Sequence, residues 1–207
     1  VGSGTSVNLT GATSNAISLN GGSLTGGANL TGTLNLGSGT VTVGGAGAGS
    51  IDTLGASTTV ALGGGTLDLN GSSTAGTVNY TSGTILGASA FTGTVAVQSG
   101  ATLVNTGTLG GTIQVAGKLT NNGTVTGATT VASGGVIAGN GTFASATLQA
   151  GSELSPGNSP GKMTYTDKVT LRGGSTWTEQ IFSDSATVVI GGVEKRGYDT
   201  IDITSGG

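Results

Sequence analysis

Gly93-Thr94-Val95-Ala96-Val97 and, eighteen positions on, Gly111-Thr112-Ile113-Gln114-Val115 repeat one pattern: a glycine, a threonine, then apolar residues at alternate positions. Alternation at period two places Val95, Val97, Ile113 and Val115 on one face of an extended strand and Ala96 and Gln114 on the other. The unit also stands at Gly32-Thr33-Leu34-Asn35-Leu36, Gly65-Thr66-Leu67-Asp68-Leu69 and Gly76-Thr77-Val78-Asn79-Tyr80. Val131 falls eighteen positions after Ile113, which predicts that it continues the same column.

A second series, Gly107-Thr108-Leu109, Gly123-Thr124-Val125 and Gly141-Thr142-Phe143, advances by sixteen and then eighteen positions. Two interleaved strand series sharing one period mean that each coil holds at least two strands, stacked on their counterparts in the next coil. A lone coil cannot bury its inward Val, Leu and Ile, whereas coils stacked about 4.8 Å apart build a continuous apolar column and pair their backbone groups. The spacing therefore predicts an all-β chain, a right-handed parallel β-helix (β-solenoid) of roughly 16–21 residues per coil. A β-sandwich of short strands is the competing fold; it calls for longer strands, large inward aromatics and hairpin turns with no coil period.

Composition points the same way. The 207 residues include 44 Gly, 7% charged and 3% aromatic residues, and neither Cys nor His. So few large apolar side chains suit a thin, elongated core better than a thick spherical one. Without thiol or imidazole there is no Cys nucleophile, disulfide framework, His base or zinc set, which removes most catalytic constellations and implies no cofactor and no metal. A net charge of −3, with no basic cluster among aromatics, argues against nucleic-acid binding. No apolar stretch approaches the roughly 20 residues of a membrane-spanning helix.

Charge divides the chain. Residues 1–152 carry only Asp52, Asp68 and Lys118; residues 153–207 hold the rest, together with Tyr165, Trp177, Phe182 and Tyr198. The first part is read as low-charge coils and the second as their continuation, with wider coils and longer excursions. Overlapping it, Gly139-Asn140-Gly141-Thr142-Phe143, then Leu154-Ser155-Pro156-Gly157-Asn158-Ser159-Pro160-Gly161, then Tyr198-Asp199-Thr200-Ile201-Asp202-Ile203, resembles the passenger-associated transport repeat of bacterial autotransporters. The resemblance covers about the last third of the chain. It implies a β-helical passenger domain, secreted or held at the bacterial cell surface, with an adhesin-like role. The prolines predict a rigid outward loop over Ser155 to Gly161, since neither can donate to a ladder.

The expected function is accordingly mechanical: an extracellular structural or adhesive shaft, with no enzymatic role and no catalytic residues. The residues carrying it are structural: inward Val95, Val97, Ile113, Val115 and Val131, and Ser155, Pro156, Gly157, Pro160, Gly161, Tyr198 and Asp199 of the repeat. Expected partners are further coils of a longer parent or copies of the same chain, since neither terminus reads as a cap, and a host or matrix glycan or protein receptor.

Three other readings compete. Asp52 and Asp68, sixteen positions apart in similar strand contexts, would suit a carbohydrate-active β-helix if they stack as a carboxylate pair. Thr-x-Thr pairs, among them Thr92/Thr94, Thr106/Thr108 and Thr124/Thr126, suggest an ice-binding array, although their spacing is uneven. Asp184, Glu194, Asp199 and Asp202 offer oxygen to Ca²⁺ but lack a calcium-repeat signature. Asn-x-Ser/Thr triplets at Asn8, Asn29, Asn70, Asn79, Asn122 and Asn140 are acceptors for N-glycans if the source attaches them.

Overall fold

A computed structural model describes residues 6–8, 17–25, 29–30, 32–43, 50–51, 53–69, 75–157, 161–178 and 200–203. The alternating runs form strands, and each named strand pairs in parallel with one from a neighbouring coil, giving a parallel β-solenoid. Most strands belong to one thirteen-stranded sheet. Its spine runs in chain order through Thr33–Val43, Thr59–Asp68, Thr77–Leu86, Thr94–Val97, Thr112–Val115, Thr124–Val131, Thr142–Leu148 and Lys162–Leu171. A second, five-stranded sheet stacks Thr102–Asn105, Lys118–Asn121, Val136–Gly139, Glu153–Pro156 and Thr176–Trp177.

Register turns the sequence alternation into columns. Leu36, Leu62, Tyr80, Val97 and Val115 stand rung upon rung, followed by Val131 and Leu148, and none is more than 4% exposed. Beside them rise Leu34, Val60, Val78, Val95 and Ile113, each at most 1% exposed. Burying side chains of this size contributes about 1.5–3 kcal/mol apiece, which is how a chain short of aromatics sustains a long core. The second series forms its own buried column, Leu109, Val125, Phe143 and Tyr165.

Thr59, Thr77, Thr94 and Thr112 stack in turn, at intervals of eighteen, seventeen and eighteen positions. The next coil tightens: Thr102 stacks on Lys118, Thr108 on Thr124 and Ile113 on Thr129, every partner sixteen positions further along. Val131 is buried as expected, but above Val115, and Thr129 takes the place over Ile113. The interval from Ile113 to Val131 is therefore not a stacking interval. The shortening lies at one corner, where Ala116 and Gly117 take the place of Gln98 to Ala101 one coil below, and it brings each residue from Lys118 to Val131 over a partner sixteen positions back.

Outside this region the coils widen, with Thr33 stacked on Thr59 and Thr142 on Thr164, intervals of twenty-six and twenty-two positions. The second widening contains the Pro-Gly run, whose outline differs from the expected loop. Ser155 and Pro156 lie inside the strand Glu153–Pro156, opposite Ala138 and Gly139, and Pro156 is buried. Proline is tolerated as the last residue of the strand, where the following Gly157 N–H donates to the Gly139 carbonyl at 2.9 Å in its place. The expected loop is therefore contradicted at Ser155 and Pro156, which belong to the ladder, and residues 158–160 lie outside the described residues. Pro160, Tyr198 and Asp199 lie outside the described residues.

Candidate functional site

Outward residues are the ones available to other molecules, and register sorts them too. Thr33, Thr59, Thr77, Thr94 and Thr112 stand in one file, and Thr108, Thr124, Thr142 and Thr164 in another. β-branched Thr suits the pleated surface at each rung. The file beside the first holds Asn35, Ala61, Asn79, Ala96 and Gln114, so the hydroxyls form single rows and not a two-column lattice.

Acidic residues are scattered. Asp68 sits in register between Thr42 and Leu86, while Asp52 lies outside the described residues. Glu153 accepts a hydrogen bond from the Thr178 hydroxyl at 2.9 Å. Asp202, in register with Thr164, pairs with Lys162 at 2.6 Å across adjacent coils, both side chains being substantially exposed. Asp184, Glu194 and Asp199 are outside the described residues, and among those described no three His, Cys, Asp or Glu cluster as a metal site. No helix among the described residues is long and apolar enough to cross a membrane.

One concavity was not foreseen. Between Thr84–Leu86 and Thr102–Asn105 the two coils do not form a ladder, and the short 3-10 turn Ala88–Ala90 follows the lower edge. The result is a groove of about 390 Å³ lined by backbone and by Thr84, Ile85, Leu86, Val104, Thr106 and Leu109. Leu86 and Val104 are 48% and 57% exposed there, among the few large apolar side chains of the described residues that face outward. The signal lay in Ile85-Leu86 and Leu103-Val104, where two adjacent apolar residues break the alternation and one of each pair must face out.

At the corner after the second sheet, polar side chains are buried and paired. Asn121 is fully buried: its Oδ1 accepts from Asn105 Nδ2 at 2.8 Å and from the Gly123 N–H at 3.1 Å, and its Nδ2 donates to the Thr142 carbonyl at 2.9 Å. Asn105 forms the equivalent turn one coil below, accepting from the Gly107 N–H at 3.3 Å. These amides satisfy turn backbone groups that the sheets leave unpaired.

Buried hydroxyls are held neutral. Burial pushes the Tyr165 phenol well above its usual range, and the hydroxyl lies 3.1 Å from Met163 Sδ. Tyr80 is raised by the same desolvation and lies within hydrogen-bonding distance of the Gly83 and Thr102 carbonyls. Comparison with known protein families, with curated sequences and with solved structures returns no significant match to this chain.

Proposed function

We propose that the chain is part of the shaft of an exported bacterial surface protein, in which a stiff stack of coils displays or spaces adhesive contacts. The observation that carries this reading is the unbroken inward file from Leu36 through Leu62, Tyr80, Val97, Val115 and Val131 to Leu148. Coils joined by parallel ladders and one apolar file resist bending and leave little backbone open to proteases. The Leu154 to Gly161 run, with its resemblance to a passenger-associated transport repeat, supports autotransport as the export route. The low-charge outward files of Thr, Asn, Ala and Gln suit broad, shallow contact with a matrix protein, a glycan or a second copy of the chain.

The test combines limited proteolysis, sedimentation across a concentration series, and binding to immobilised matrix proteins and glycans. Expected are a resistant fragment spanning the coils between Thr94 and Pro156 and saturable binding or self-association. Cleavage of a polysaccharide that disappears in the Asp52→Asn/Asp68→Asn double variant would replace the shaft by an enzyme. Rapid digestion throughout those coils would remove the mechanical argument.

A further inference from the structure

Asn-Gly is the dipeptide in which a backbone nitrogen most readily attacks the preceding carboxamide, because glycine has no Cβ to obstruct the approach. The Gly nitrogen bonds to Asn Cγ and ammonia leaves, closing a succinimide. Water then opens the ring at either carbonyl, leaving Asp or a β-linked isoaspartate. Asn122-Gly123 and Asn140-Gly141 are two such dipeptides, one coil apart at the same corner, and both asparagines are exposed to water.

In the folded chain both halves of each reaction are engaged. The nucleophile of the first, the Gly123 N–H, donates to the buried Asn121 Oδ1 at 3.1 Å. That of the second, the Gly141 N–H, donates to the Asn121 backbone carbonyl at 2.7 Å. The electrophiles are tethered upward: Asn122 Oδ1 accepts the Asn140 N–H at 3.2 Å, and Asn140 Oδ1 accepts the Lys162 N–H at 3.1 Å. Attack requires the amide to leave its acceptor and the carboxamide to leave the next coil, so the corner must open first.

We infer that Asn121 is a guard residue, holding two dormant deamidation sites at Asn122 and Asn140 closed through its side chain and its main chain respectively. Deamidation then becomes a record of coil opening. An isoaspartate adds a backbone carbon at a corner whose turns are set by register, so a chain modified while open cannot restack that corner.

The unchanged chain is aged folded and in urea, and its peptides are analysed by mass spectrometry for amide-to-acid conversion. Conversion at Asn122 and Asn140 is expected to be slower in the folded chain by at least about ten-fold, the factor being set by how rarely the corner opens. Equal rates in the two conditions overturn the inference. Asn121→Ala separates the two holds: Asn122 should accelerate towards its rate in urea while Asn140 stays slow, because alanine keeps the carbonyl that holds Gly141. An Asn122 that stays slow in this variant, or both sites accelerating together with the strand content intact, overturns the guard role. Should the variant not fold, hydrogen exchange on the unchanged chain decides: protected Gly123 and Gly141 amides support the inference, and free exchange of either refutes it.

Discussion

Phe143 stacks on Tyr165 of the next coil, ring centroids 5.6 Å apart and planes 20° from parallel, with both side chains fully buried. Among the described residues they are the two largest that are fully buried, in a column that rises from the smaller Leu109 and Val125 and continues above Tyr165 to Ile203. The core thickens where the coil lengthens, from eighteen positions between Thr124 and Thr142 to twenty-two between Thr142 and Thr164. Phe143→Ala should therefore cost about 3–5 kcal/mol, because a cavity between rigid coils closes poorly. Equilibrium urea unfolding measures it; a loss below about 1 kcal/mol would mean that the neighbouring coils collapse into the space.

Tyr165 also predicts alkaline sensitivity. Its folded-state pKa is raised by burial, so above the usual tyrosine value of about 10 the unfolded chain has released a proton that the folded chain still holds. Stability is intact below that value and falls as pH rises through the window above it, by up to about 1.4 kcal/mol per pH unit. Tyr165→Phe should flatten this decline, leaving the share contributed by Tyr80, whose pKa burial also raises. Parallel slopes for the two proteins would show that Tyr165 ionises freely.

Glycines at two successive corners differ in what lies beneath them. A Cβ on Gly127 would overlap the Gly111 carbonyl oxygen one coil below, whereas a Cβ on Gly107 meets nothing within 4 Å. Gly127→Ala should destabilise by about 1–3 kcal/mol or more as rungs are forced apart. Gly107→Ala, at an ordinary φ, should stay within about 0.5 kcal/mol. Comparable melting temperatures for the two variants would mean that the corner at Gly127 adjusts without strain.

Thr129 occupies an inward position between Ile113 and Ala146, 2% exposed, and its hydroxyl has no protein partner. Valine has the same shape without the hydroxyl. Thr129→Val should raise stability by about 1–3 kcal/mol, the cost of an unpaired buried polar group. A destabilised variant would reveal a hydrogen bond made by that hydroxyl in solution.

Thr129 also shows where reading from the sequence stops. Spacing around Ile113 points to Val131 as the next member of its column, but stacking compares whole coils, and the coil that starts at Thr102 reaches its counterpart at Lys118 by a shorter path than its predecessors. The Pro156 strand end has the same origin, since only pairing with Gly139 reveals that the proline completes a rung. Leu86 and Val104 were visible as breaks in alternation, yet the groove between them exists because two neighbouring strands fail to pair.

The sequence by itself determined the strand type, the inward and outward faces and the coil-on-coil plan. Each follows from local alternation and from the recurrence of one Gly-Thr unit, and none requires knowing which distant residues meet. Tertiary structure alone decided which rung meets which, how Asn121 reaches the turns of two coils, and where the ladder opens into a groove. Those outcomes depend on the number of residues each coil uses at its corners relative to the coil beneath, a difference between distant segments that no local pattern records.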